Sequence, residues 1–283
     1  MYDQFFIPPV TGVLRQQPSS NLQYPMDPQI LYEVTRRIGS ITMNRPEKRN
    51  ALSSVLVTAL KDAFTRALHD EGVRVIMLSG NHKAFSSGAD LDELKEFQSR
   101  SPEDNLADSQ ALMQLYSQIY HASKPVIALV EGYAVAGGCG LAVCCDFCYC
   151  TPEAKFGFPE VRIGFVPALV SVFLVRKIGE GRAREMLITG SLINADRALE
   201  NGLVNAIFSA ATIWDQTYKI AEDISANSSG SSISGTKQLI AASQGMKIKD
   251  ALEEAARMNA QHRSSADCKK GISDFLSGKK MSW

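Results

Sequence analysis

The chain has 283 residues, 45% of them hydrophobic and 21% charged, which is ordinary for a globular protein and excludes wholesale disorder. Its 30 Lys and Arg balance 30 Asp and Glu, which argues against a nucleic-acid partner, because such binding rests on many phosphate-neutralising cations. No apolar run approaches the roughly 18 to 20 residues that cross a bilayer, so no membrane partner is expected.

Residues 1–28 carry one basic residue, Arg15, and four prolines up to Pro25. They read as an irregular extension without the charged start or long apolar stretch of a secretory signal. From Ile30 two alternating segments predict a strand pair, closed by Asn44, Arg45 and Pro46. Asn50, Ala51 and Leu52 lead into an amphipathic helix to about His69. The apolar run 73–78 predicts a strand buried on both faces. Residues 80–88 read as a loop, 91–107 as a polar surface stretch and 108–122 as a helix. The buried-strand pattern returns at 125–130, followed by the small-residue stretch 132–140, a helix over 141–145 and a strand over 146–150.

Strand, loop and helix thus recur several times before residue 210, which predicts an α/β architecture with buried strands. Residues 213–226 and 247–262 read as helices, with the Ser/Gly-rich segment 227–235 as a loop between them. Five of the six cysteines fall between Cys139 and Cys150. Neighbours such as Cys144 and Cys145 are badly placed to pair, so the expectation is reduced thiols and a cytoplasmic setting.

Two strand-to-helix turns rich in small residues, 84–91 and 132–140, stand out. Small side chains let a ligand approach the backbone, and a helix start leaves amide N–H groups unpaired at the positive end of its dipole. Two such amides converging on one oxygen would stabilise an enolate. Taken singly, each turn also fits a plain role in tight helix–strand packing. A third segment, 156–164, sets Glu160 among Phe158, Pro159 and Val161. Apolar surroundings raise a carboxyl's pKa and suit it to proton transfer; the plain alternative is a surface glutamate paired with Arg162.

The order and spacing of these segments, together with Asn44-Arg45-Pro46, Asn50-Ala51-Leu52, Ile188-Thr189-Gly190 and Gly202-Leu203-Val204, resemble the crotonase family, also called the enoyl-CoA hydratase/isomerase family. The resemblance runs from about Ile30 to Trp283. It implies a spiral of ββα units over residues 29–212 and a helical C-terminal assembly region over 213–283. It also implies an acyl-CoA thioester substrate, a homotrimer or dimer of trimers, and no cofactor beyond the coenzyme A carried by the substrate. By position the oxyanion amides are those of Ala89 and Gly137, and Glu160 is the catalytic carboxyl. Substrate-binding candidates are Lys48, Arg49, Ser87, Asp90, Leu91, Gly138, Phe275 and Lys279, with the basic residues meeting the phosphates of coenzyme A.

The sequence also departs from the family pattern. Hydratases of the family carry a further glutamate where this chain has Gly140. A lone later glutamate resembles the family's Δ3/Δ2-enoyl-CoA isomerases, whereas the stretch 160–168 is similar to methylglutaconyl-CoA-hydratase-like members. The leading expectation is a hydratase. A single-glutamate isomerase is the alternative, and a non-catalytic acyl-CoA-binding protein is the rival of another class.

Other chemistries are poorly supported. Cys145 and Cys148 have no second such pair, the histidines (His69, His82, His121 and His262) are scattered, and no metal site is expected. Gly138-x-Gly140 lacks the third glycine of a dinucleotide site, and no Gly-x-Ser-x-Gly elbow is present.

Overall fold

The apolar runs become strands because both of their faces are covered. A computed structural model describes residues 29–81, 84–96, 99–280 and 283; the expected extension over residues 1–28, and His82, lie outside them. Strands β1 (Ile30–Thr35) and β2 (Ile38–Met43) form an antiparallel pair. Helix α1 (Ser54–His69) follows, its first turn capped by the Ser53 hydroxyl accepting from Leu56 N. Next come β3 (Val75–Gly80), β4 (Ala84–Ser86), α2 (Leu91–Glu96) and α3 (Pro102–Tyr120). The following turn of the spiral holds β5 (Val126–Val130), β6 (Tyr133–Val135) and α4 (Gly137–Cys144). A third turn holds β7 (Phe147–Cys150), β8 (Lys155–Gly157), a short 3-10 turn over Pro159–Ile163, and α5 (Ala168–Ile178). Helix α6 (Glu180–Thr189), strand β9 (Ile193–Asn194), helix α7 (Ala195–Glu200) and strand β10 (Ala206–Ile207) complete it. Four helices close the chain: α8 (Ile213–Asn227), α9 (Gly230–Ser243), α10 (Ile248–Arg263) and α11 (Ala266–Leu276).

Each spiral turn gives one strand to each of two sheets. The larger has the order β1-β2-β3-β5-β7-β10, the smaller β4-β6-β8-β9. The pairs β2–β3, β3–β5, β5–β7, β4–β6 and β6–β8 are parallel. The expected ββα spiral is therefore observed. Alternation along the strands divides the core. Ile76, Leu78, Ala128 and Val130 face the main core, while Val75, Met77, Ile127 and Leu129 face a second cluster against α8.

Three local expectations are corrected. Within 80–88, residues 84–86 form β4, because they pair with β6 in the smaller sheet. The polar stretch 91–107 is largely helical, since α3, capped by Ser101, starts at Pro102, six residues before the expected start at 108. The Ser/Gly-rich segment 227–235 runs into a helix rather than forming a loop. Ser229 caps α9 by accepting from Ser232 N, and the Ser229 and Ser231 hydroxyls donate to Asp267. Gly235 is glycine because a Cβ there would lie 2.4 Å from His262 Nε2. The cysteines between Cys139 and Cys150 are buried free thiols, and burial pushes the Cys139, Cys144, Cys145, Cys148 and Cys150 thiols up, which leaves them protonated and packed.

Candidate active site

The site forms where two parallel strands of the smaller sheet end side by side. Beyond β4 the chain passes Ser87 and Gly88 to Ala89; beyond β6 it passes Ala136 to Gly137. The two turns interlock. Gly88, at φ +91°, lies so close to the second turn that a Cβ would sit 2.8 Å from the Ala136 Cβ. A Cβ on Gly138 would sit 2.5 Å from the Ser86 Oγ. The glycines at 88 and 138 are therefore demanded by packing, and that packing sets Ala89 beside Gly137.

Each amide is left free by a different local rule. Leu52 N donates to Gly88 O at 2.7 Å and Asp90 N donates to Leu52 O at 3.1 Å. In that parallel bridge between Leu52 and Ala89, the N–H of Ala89 points away from Leu52. Gly137 opens α4, so its N–H has no acceptor within the helix and lies at the positive end of the dipole. The preceding residue, Ala136, has φ 50° and ψ −128°, a conformation unfavourable for a residue with a Cβ. Ala136 is held there by its N–H bond to Gly157 O at 2.8 Å and by Gly140 N donating to Ala136 O at 3.0 Å.

The first turn rests on a polar bracket in which sequence reasoning gave a task, substrate binding, to Asp90 alone. Arg45 reaches Asp90 at 2.9 Å, both largely buried, and donates to Ala51 O at 2.8 Å. Asn50 is fully buried at φ 53°. It accepts from Arg45 N and donates to Asn81 O and Ala84 O. Burial pushes the Asp90 carboxyl up, but hydrogen bonds from Asp92 N and Arg45, with the Arg45 charge, outweigh it and hold the carboxyl below its ordinary value.

Ala89, Gly137 and Glu160 line a single cavity of about 300 Å³. Glu160 stands in the 3-10 turn after β8, its carbonyl fixed by Phe165 N at 3.0 Å. Among the described residues its Oε2 is buried without a hydrogen-bond partner, and burial raises its pKa. Arg162 turns elsewhere, to Thr189 O and Ser191 Oγ, so the surface-pair alternative for Glu160 does not hold. The remaining wall includes Leu52, Val57, Leu112 and Val170, together with the carboxylates Glu93 and Asp108.

The other sequence candidates fall into three places. Lys48 and Arg49 flank Ser87, whose N–H donates to Arg49 O at 3.0 Å; Lys48 also pairs with Asp92 at 2.7 Å on the surface. Asp90 lines the cavity with its carboxylate engaged by Arg45, Leu91 is exposed at the start of α2, and Gly138 packs behind Gly137. Phe275 and Lys279 lie exposed at the end of α11 and beyond it, outside the cavity lining of the single chain.

Sequence reasoning also missed Tyr116, which is fully buried, lines the same cavity and donates its hydroxyl to Gly137 O at 2.7 Å. Its position in a helix of mixed polarity gave no signal.

Comparison with known proteins concerns the chain as a whole. The sequence pattern of the family described as enoyl-CoA hydratase/isomerase matches residues 33–283. A Thermus thermophilus protein provisionally named an enoyl-CoA hydratase is 41% identical over 239 residues, 84% of this chain and 94% of that protein. The crotonyl-CoA hydratase of Syntrophomonas wolfei is 32% identical over 255 residues, covering 89% and 96%. The crystal structure of a Mycobacterium smegmatis enoyl-CoA hydratase superimposes with a TM-score of 0.85 at 30% identity, over 91% of this chain and 99% of that one.

Proposed function

Because this chain belongs to the enoyl-CoA hydratase/isomerase family, we propose that it adds water across the double bond of a 2-enoyl-CoA thioester. The carrying observation is that the Ala89 and Gly137 turns and the Glu160 carboxyl line one cavity. The thioester oxygen sits between the two amides, which stabilise negative charge as it develops; losing one such donor costs about 2.7–4 kcal/mol of barrier.

Glu160 takes a proton from a water as the water oxygen bonds to the β-carbon. The π pair moves to form the enolate, and the proton held on Glu160 then passes to the α-carbon. One carboxyl thus both activates the nucleophile and returns the proton, and its raised pKa suits it to both. Every step uses amides, a carboxyl and water, and coenzyme A arrives with the substrate.

One observation favours a second reading. Gly140 cannot carry a second acid as the site stands, because a Cβ there would lie 2.4 Å from the Tyr116 hydroxyl. A single base suffices for a Δ3/Δ2 double-bond shift, taking a proton from the α-carbon and returning it at the γ-carbon. The names of the relatives favour hydration. A non-catalytic acyl-CoA-binding role would leave the buried Glu160 carboxyl without a task.

Purified protein given crotonyl-CoA and 3-enoyl-CoA substrates separates the readings. Hydration of crotonyl-CoA supports the proposal, a shift of 3-enoyl substrates alone supports the isomerase, and binding without turnover supports the binding protein. Glu160→Gln is expected to lower kcat by roughly 10²–10⁴-fold; unchanged turnover would overturn the assignment of the base.

The position of Lys48 and Arg49 beside Ser87 supports a role for them in meeting the phosphates of coenzyme A, and Phe275 and Lys279 would do so from a neighbouring subunit. Exposed apolar side chains on the last helices, among them Ile248, Leu252 and Phe275, support a homotrimer or a dimer of trimers. The free thiols support a reducing, cytoplasmic setting, and no helix among the described residues is long and apolar enough to cross a membrane.

A further inference from the structure

Gly137 joins two peptide planes, and each has its own anchor. The plane carrying its N–H is held through Ala136 O, which accepts from Gly140 N at 3.0 Å. The plane carrying its C=O is held by the Tyr116 hydroxyl at 2.7 Å. Tyr116 reaches that oxygen through space that residue 140 leaves empty. A Cβ on Gly140 would stand 2.4 Å from Tyr116 Oη, 2.7 Å from its Cζ and 2.6 Å from Val170 Cγ1. The hydroxyl also lies under Gly137 itself, 3.2 Å from where a Cβ on that residue would be. The ring is clamped in turn, edge-on to Phe173 with centroids 6.1 Å apart.

We infer that Tyr116 is the positioning residue of the second oxyanion amide, and that Gly140 is its obligate partner, kept without a side chain so that the hydroxyl can fix the Gly137 turn. Tyr116 touches the cavity wall but is fully buried, and its hydroxyl is engaged by Gly137 O, so it acts through Gly137 rather than on substrate. Burial pushes its phenol well above the ordinary value. The hydroxyl therefore stays a donor at neutral pH.

The inference rests on the proposed enolate chemistry, and the experiment separates the two. Acetoacetyl-CoA is the probe, because its enolate absorbs in the near ultraviolet and is favoured when two amides hold its thioester oxygen. Tyr116→Phe keeps the ring and removes the hydroxyl. It is expected to weaken the enolate band and lower kcat about 5- to 10-fold, as loss of one hydrogen bond implies, with KM and the acid limb of the pH profile unchanged. A role in stability alone would lower the melting temperature and leave the band and kcat of the folded protein intact; that result, or a Phe variant equal to wild type, overturns the inference.

Gly140→Ala is expected to reduce the band as strongly as Tyr116→Phe, and the double variant to add little to either. Simple additivity would remove Gly140 from the inference. A wild-type band without turnover of any enoyl-CoA would overturn the enzymatic reading and leave the inference standing. A wild type showing neither would overturn both.

Discussion

The two amide turns perform one task by opposite means. The Ala89 turn is held at long range by charge and by a strand-like ladder: Arg45 grips Asp90 from 45 residues away, Asn50 ties down Ala84, and Leu52 bonds on both sides of Ala89. The Gly137 turn is held by a helix start, an unfavourable alanine conformation and an uncharged phenol. Charge and backbone pairing therefore fix one donor, and shape fixes the other. They are expected to fail under different insults.

Removing the charge is the harshest way to break the first turn. Arg45→Met leaves Asp90 buried without its partner and is expected to cost about 3–5 kcal/mol, read as a lowered midpoint in chemical denaturation with loss of activity. A midpoint within 1 kcal/mol of wild type, taking ~1 kcal/mol as a routine point-mutant effect, would show that the bracket is dispensable. A wedge between the turns comes next. Gly88→Ala puts a Cβ at φ +91° and 2.8 Å from Ala136, and strain with overpacking is expected to cost about 2–4 kcal/mol. It should impair both amides together.

Acid separates the site's carboxyls by sign. The Asp90 pKa is lowered by folding, so its stabilising contribution is present above the unfolded value, about 3.9, and is lost as pH falls through the folded value. The Glu160 pKa is raised, so its ionisation weakens the fold as pH rises from the unfolded value through the folded one, while the same ionisation switches on the base. The acid limb of kcat/KM should therefore lie above that of an ordinary glutamate, and Arg45→Met should leave the remaining activity's limb in place. A limb that moves with Arg45 would tie the two turns together electrostatically. The smallest effect is expected at Ala136→Gly, which relieves the unfavourable conformation at the cost of a freer unfolded chain. A stability gain of about 0.5–1 kcal/mol with reduced kcat is expected, and a gain in both would show that the alanine has no part in holding Gly137.

Much of this was legible in the chain because it is local. The runs 73–78 and 125–130 are apolar on both faces of the strand, so they announced buried parallel strands, and the small residues at 84–91 and 132–140 announced close backbone approach. Glu160 in apolar company announced its raised pKa. The anchors were not legible because they are pairings across the fold. Nothing in the sequence near Tyr116 points 21 residues ahead to Gly137, nor from Arg45 to Asp90. Helix α9 was hidden for a related reason. Its serines and glycines favour a loop by propensity, but a Ser229 cap, two serines on Asp267 and the close approach of His262 to Gly235 outweigh that preference.

The contact between Gly88 and Ala136 also constrains how this site can change over generations. The turns have room for one methyl group between them, and it stands at 136. A side chain acquired at 88 while Ala136 remains meets that methyl at 2.8 Å; losing the methyl first removes this contact but leaves the strain of φ +91° and the Val135 carbonyl 3.0 Å away. Neither order is therefore free of cost, and the order that carries both side chains at once is the costlier because of the 2.8 Å contact.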